Sequence, residues 1–186
     1  MAKELYKEAG HKGRVEVLNC KNTSVGLGLI AYKAAMMAEE GTSLDVLMDR
    51  VNELIKQAHI YIMLDTLENV IKGGRLDRVR GAVATVLNIK LLMHNSEEGT
   101  IELIEKIRGS RNTIKKDGRK KIGETKIGAG RDIIAVAHGN CEEKAKSIIE
   151  MIMSKYPFKK KAILSNMGSV IGTYAERAAF WSPISL

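Results

Sequence analysis

His138, Gly139, Asn140 and Cys141 stand together directly after the apolar run of residues 133–137. In an α/β protein the carboxyl end of a strand is where functional groups gather. A histidine and a cysteine this close in sequence pair only if their side chains converge, and no G-x-S-x-G serine elbow accompanies them. A turn or helix-capping role is the simpler reading. Gly26-Leu27-Gly28-Leu29-Ile30-Ala31 fits the dinucleotide spacing G-x-G-x-x-A. Its context does not fit, because a dinucleotide loop closes directly after its strand, and Asn19 to Val25 intervene here. The polar stretch Lys21, Asn22, Thr23 and Ser24 could hold an anion at a helix N-terminus, while the glycines serve more simply to let a helix approach a sheet. His11, His59 and His94 are isolated, and the carboxylates form no paired-acid constellation. Cys20 and Cys141 lie far apart without a nearby pair of histidines, so no metal site is expected. No catalytic residue and no cofactor is assigned.

The elements that would position these groups read as follows. Residues 2–9 end a helix, and Val15-Glu16-Val17-Leu18 reads as a short strand. Residues 25–40 form a helix stopped by Gly41. Thr42 caps a second helix whose stripe is Leu44, Leu47, Met48, Val51, Leu54 and Ile55. Ile60 to Met63 reads as a strand and residues 65–72 as a short helix stopped by Gly73-Gly74. Strand, helix and strand in this order suggest a parallel βαβ unit. Residues 83–93, apolar apart from Asn88 and Lys90, and residues 100–107 suggest a hairpin, with a helix over 100–107 as the alternative. Residues 133–137 are a buried strand. Asn140 caps a helix with Ala145, Ile148, Ile149 and Ile152 on its apolar face. Residues 162–165 form a strand, and residues 168–174 a turn feeding another. The expected class is α/β: a partial parallel βαβ domain over residues 1–78, then a smaller mixed α+β domain over residues 79–186.

Hydrophobic residues make up 45% of the 186, enough for a packed core, but only 4% are aromatic. Leu, Ile, Val, Ala and nine Met must therefore fill that core. Met is also common on apolar binding surfaces. No apolar run reaches the roughly 18 residues of a membrane span, and no secretory pattern opens the chain. A cytoplasmic protein with reduced thiols is expected. The net charge of +8 is concentrated at Lys115, Lys116, Arg119, Lys120, Lys121 and Lys126 and at Lys159 to Lys161. Such clusters could meet nucleic acid or anionic lipid, but no aromatics interleave with them. Nucleic-acid binding is the less favoured reading.

Residues 62–76, Ile-Met-Leu-Asp-Thr-Leu-Glu-Asn-Val-Ile-Lys-Gly-Gly-Arg-Leu, resemble the signature of the DegV family, in which a strand and an aspartate–leucine helix lead into K-G-G-R-[IL]. Ser24-Val25-Gly26-Leu27-Gly28 resembles the family's S-x-G-x-G helix start. Leu87-Asn88-Ile89-Lys90 resembles its L-x-I-K-P segment with Leu91 in place of the proline, and Gly99 with Ile101 resembles the following G-x-I. Gly168-Ser169-Val170-Ile171-Gly172-Thr173 resembles G-P-V-I-G-T. The ordered motifs cover residues 15–175 and match the C-terminal two-thirds of the usual chain. Nothing before residue 15 corresponds to the family's T-S-Q-P-S loop, whose hydroxyls hold a carboxylate. Tyr174 stands where the family has a histidine.

The resemblance implies a non-enzymatic protein that holds a long-chain fatty acid and presents it to a separate fatty acid kinase. It assigns the ligand to Ser24, Ile89, Ile171, Gly172, Thr173 and Tyr174, and partner docking to Arg75. An incomplete domain acting only in protein association is the alternative.

Overall fold

The computed structural model describes residues 1–74, 79–80, 89–108, 133–156, 158, 162–175 and 178–184. In chain order the elements are α1 (Ala2–Glu8), α2 (Ser24–Glu39), α3 (Leu44–Gln57), β1 (Tyr61–Leu64), α4 (Glu68–Lys72), β2 (Val79–Arg80), β3 (Ile89–Asn95), β4 (Ile101–Arg108), β5 (Ile133–His138), α5 (Glu142–Lys155), β6 (Ile163–Asn166), α6 (Ser169–Ala175) and β7 (Ala179–Ile184).

The strands form one mixed sheet in the order β2-β4-β3-β1-β7-β5-β6. β1, and β5 up to its terminal His138, are apolar runs, and both strands are buried at every position, the pattern of a strand covered on both faces. Alternate residues separate into two cores. On the first face, Ile62, Leu64, Leu91, Met93, Ala135, Ala137 and Phe180 meet Leu29 and Ile30 of α2, Val51 of α3, Val70 of α4 and Ala175 of α6. On the second, Tyr61, Met63, Leu92, Ile134, Val136 and Trp181 meet Ala145, Ile148 and Ile152 of α5.

The mixed α/β class agrees with the sequence reading, and several details differ. Residues 15–18 form no strand. A strand needs a partner backbone for its ladder, and none pairs with this segment among the described residues. β1 is antiparallel to both β3 and β7, so the opening strand–helix–strand order does not make a parallel pair. The parallel unit is β5–α5–β6, where one amphipathic helix spans the crossover. β3 and β4 are the expected antiparallel hairpin, with an irregularity at Leu92/Met93. Residues 168–174, expected as a turn feeding a strand, are instead largely the helix α6, and the strand that follows is β7. The N-cap of α3 is Ser43 rather than Thr42. The N-cap of α5 is Cys141, and Asn140 before it has a left-handed φ of 44°, a conformation asparagine tolerates.

Candidate functional site

The carboxyl end of β1 gathers the signature residues. Leu64 ends the strand, and the Glu68 N–H donates to Thr66 Oγ1 at 3.1 Å to start α4. The helix stops at Gly73-Gly74, where Gly74 has φ +65°, a left-handed conformation that suits glycine. α6 packs across α4. A Cβ at Gly73 would lie 2.4 Å from the Tyr174 ring, so this glycine is what lets the ring lie on the α4 backbone. Ile171 of α6 is partly buried against the first-face core. Thr173 Oγ1 donates to the Ser169 carbonyl at 2.8 Å, and Gly172 has open space around its Cα.

On the other face at the same end, Asp65 Oδ1 meets Lys144 Nζ at 2.7 Å and Lys90 Nζ at 2.9 Å. All three side chains are mostly buried, at 20–27% exposure. Burial pushes the Asp65 carboxyl up, but the charge and hydrogen bond of Lys144, with Lys90 beside them, outweigh it and hold the group below the usual carboxylate range. Burial also pushes Lys144 down, and the attraction of Asp65 only partly offsets this. Two ammonium groups share one carboxylate, so each lysine has less compensation than Asp65 has. The cluster carries a net positive charge and can hold an anion. Asp65→Asn should cost about 2 kcal/mol at pH 7, below the range for breaking a fully buried pair. Because the folded-state pKa of Asp65 is depressed, its contribution is present above the unfolded value and lost as pH falls through the folded one. Urea midpoints of wild type and variant should therefore differ at pH 7 and converge as Asp65 protonates, below about pH 4. A gap of unchanged size at pH 3 would assign the cost to packing.

Ser24 lies at the opposite end of β1. It opens α2 with φ +50°, after a loop tied to the sheet by two asparagines. Asn22 Nδ2 donates to the Ala58 carbonyl at 2.9 Å, and Asn22 Oδ1 accepts the Thr23 N–H at 3.0 Å. Asn95 is 7% exposed; its Oδ1 accepts the Ile60 N–H at 2.8 Å and its Nδ2 donates to the Lys21 carbonyl at 3.3 Å. A cleft of about 270 Å³ lies here, lined by Lys21, Asn22, Thr23, Ile60, Glu98 and Ile101 among others. It is small and polar for a long acyl chain.

Of the ligand residues expected from sequence, the structure groups Ile171, Gly172, Thr173 and Tyr174 in α6 and places Ser24 at the other end of β1. Ile89 opens β3, and Arg75 lies outside the described residues. Sequence reasoning missed Asp65, Lys90 and Lys144 as a cluster. The available signal was Lys90, a charge inside an otherwise apolar run. His138 is buried at the end of β5, its carbonyl accepting the Met167 N–H, and the Cys141 thiol donates to the Ala178 carbonyl. Neither Cys20 nor Cys141 is in a disulfide. Among the described residues no three metal-ligating side chains cluster and no helix is long and apolar enough to cross a membrane.

A family model described as an uncharacterised protein, DegV family, matches residues 1–180. The chain belongs to the DegV family. A DegV domain-containing protein of Clostridium perfringens is 27% identical over 177 residues, covering 94% of this chain and 59% of that protein. One from Caldanaerobacter subterraneus is 31% identical over 166 residues, covering 88% and 58%. Among solved structures, a DegV family protein of Ruminococcus gnavus with vaccenic acid superposes with TM-score 0.83 at 29% identity, covering 97% of this chain and 64% of that one. A DegV family protein of Eubacterium eligens loaded with heptadecanoic acid gives TM-score 0.86 at 25% identity, covering 100% and 66%. The chain thus spans about three-fifths of the length of the curated DegV relatives it matches.

Proposed function

We propose that this chain binds a long-chain fatty acid without acting on it chemically, and presents the acid to a separate fatty acid kinase in the cytoplasm. The observation that carries the reading is the seat of Tyr174 on Gly73. It joins the K-G-G-R segment and the C-terminal V-I-G-T segment of the DegV resemblance in one corner, in a fold shared with two relatives that hold fatty acids. The ligand carboxylate is assigned to this end of the sheet, near Thr173 and Tyr174, while the Asp65–Lys90–Lys144 cluster lies on the opposite face. The acyl chain is assigned to Ser24, Ile89, Ile171 and Gly172, and kinase docking to Arg75, next in sequence after Gly73-Gly74. Each buried methylene contributes about 0.8 kcal/mol, so the tail supplies most of the affinity. The head group, lacking a histidine partner, binds more tightly as pH falls and the acid becomes neutral.

Delipidated protein titrated with vaccenic acid should bind one acyl chain per protein in native mass spectrometry. Tyr174→His should strengthen binding several-fold at pH 6, where a histidine is partly cationic, and much less at pH 8. No acyl adduct in either protein would remove the fatty-acid reading. Binding with no response to Tyr174→His at either pH would remove only the head-group role.

A further inference from the structure

The cleft beside the loop that enters α2 is too small for a long acyl chain, and its lining suits a different ligand. One wall is the loop of residues 19–23, and the other is the β3–β4 turn at Glu98 and Gly99. The floor is Ile60, fully buried, and Ile101, partly buried against the first-face core. The two walls are fixed to one another. The buried Asn95 joins the Ile60 N–H to the Lys21 carbonyl, and Asn22 ties the loop to the Ala58 carbonyl. Gly99 meets the Lys21 backbone so closely that an added Cβ would stand 3.1 Å from Lys21 Cα. A cleft held in this way is already formed before a ligand arrives, so binding costs little ordering.

The walls carry opposite charges. Lys21 brings an ammonium that makes no ion pair among the described residues, and Thr23 adds a hydroxyl on the same wall. Glu98 brings a carboxylate from the turn. We propose that this cleft binds a small apolar α-amino acid. Its carboxylate meets Lys21 and Thr23, its ammonium meets Glu98, and its side chain rests on Ile60 and Ile101. Charge-assisted hydrogen bonds fix the two ends, and an apolar floor with a few polar groups above it is the usual build of a small-molecule site. A plain carboxylate would set like charge against Glu98, and a plain amine would set it against Lys21, so the two walls together select the zwitterion. The ligand clamps the loop to the β3–β4 turn. The site lies at the opposite end of β1 from Tyr174, and the inference does not rest on the fatty-acid reading.

Titration calorimetry of the whole chain with L-leucine should show one saturable site. Isovalerate, which lacks the ammonium, and isoamylamine, which lacks the carboxylate, should each bind about tenfold more weakly or worse, the effect of losing one charge-assisted hydrogen bond. Lys21→Met and Glu98→Gln should each weaken L-leucine by a similar factor. Both side chains are exposed, so the urea midpoint of the unliganded protein should stay that of the parent. The absence of saturable heat with L-leucine would overturn the proposal. So would isovalerate or isoamylamine binding as tightly as L-leucine, or an L-leucine affinity that neither variant changes. Vaccenic acid titrated into the same proteins reads the fatty-acid site separately.

Discussion

Replacing Trp181 with alanine is expected to cost about 3–5 kcal/mol, the range for deleting a large aromatic from a core that cannot collapse. Trp181 is fully buried at the middle of β7. Its neighbours across the ladder are Tyr61 of β1 and Val136 of β5, and its ring stacks on Tyr61 with centroids 5.8 Å apart. The hole left by alanine would open between two strands whose other faces are already packed, so neither can move in to fill it. The loss is comparable with the whole stability of many domains, and the variant should show a large fall in urea midpoint or fail to fold. Trp181→Phe separates volume from polarity. It keeps most of the ring and removes an indole N–H that has no hydrogen-bond partner among the described residues, so it should cost well under half as much. Equal losses for both variants would mean that the indole nitrogen is satisfied and contributes to the core.

Gly73→Ala should have the second largest effect. A methyl at 2.4 Å from the Tyr174 ring, with the Asn69 carbonyl at 3.1 Å on its other side, has no room. Either the ring swings away or α4 and α6 separate, at about 1–3 kcal/mol for overpacking. Tyr174→Ala removes the obstacle. In the double variant most of the Gly73→Ala cost should disappear, leaving a coupling of at least about 1 kcal/mol between the two positions. Additive losses would show that the glycine is needed for its backbone rather than for the ring. Fatty-acid binding followed through the same cycle tests the proposed head-group corner. If Tyr174 serves the ligand, Gly73→Ala weakens binding by displacing it, even where the fold survives.

The cluster at Asp65 and the corner at Gly73 show how far local sequence reaches. The K-G-G-R segment was legible because a glycine pair after an apolar-periodic stretch marks a helix stop, and Gly74 does take a left-handed φ. That Gly73 receives an aromatic ring was not legible, because the ring comes from a helix about a hundred residues further along the chain. Lys90 stood out as a charge inside an apolar run, but its counter-ion depends on β3 lying beside β1, which periodicity cannot reveal.

The sequence by itself determined most of the elements and the family. β1, and β5 up to its terminal His138, are apolar, and α3 and α5 carry one-sided stripes, because burial on two faces or on one imposes those periods directly. The ordered motifs marked the chain as DegV-like. Tertiary structure decided the pairing. It put β1 antiparallel between β3 and β7, moved the parallel strand–helix–strand unit to β5 and β6, and left residues 15–18 without a strand partner among the described residues. A strand's direction and existence depend on a neighbour far away in sequence, and β propensity alone does not supply one. It also made a helix of Ser169–Ala175, where Gly172, Gly168 just before it and the β-branched residues argue locally for a turn, because packing across α4 outweighs propensities worth fractions of a kcal/mol per residue.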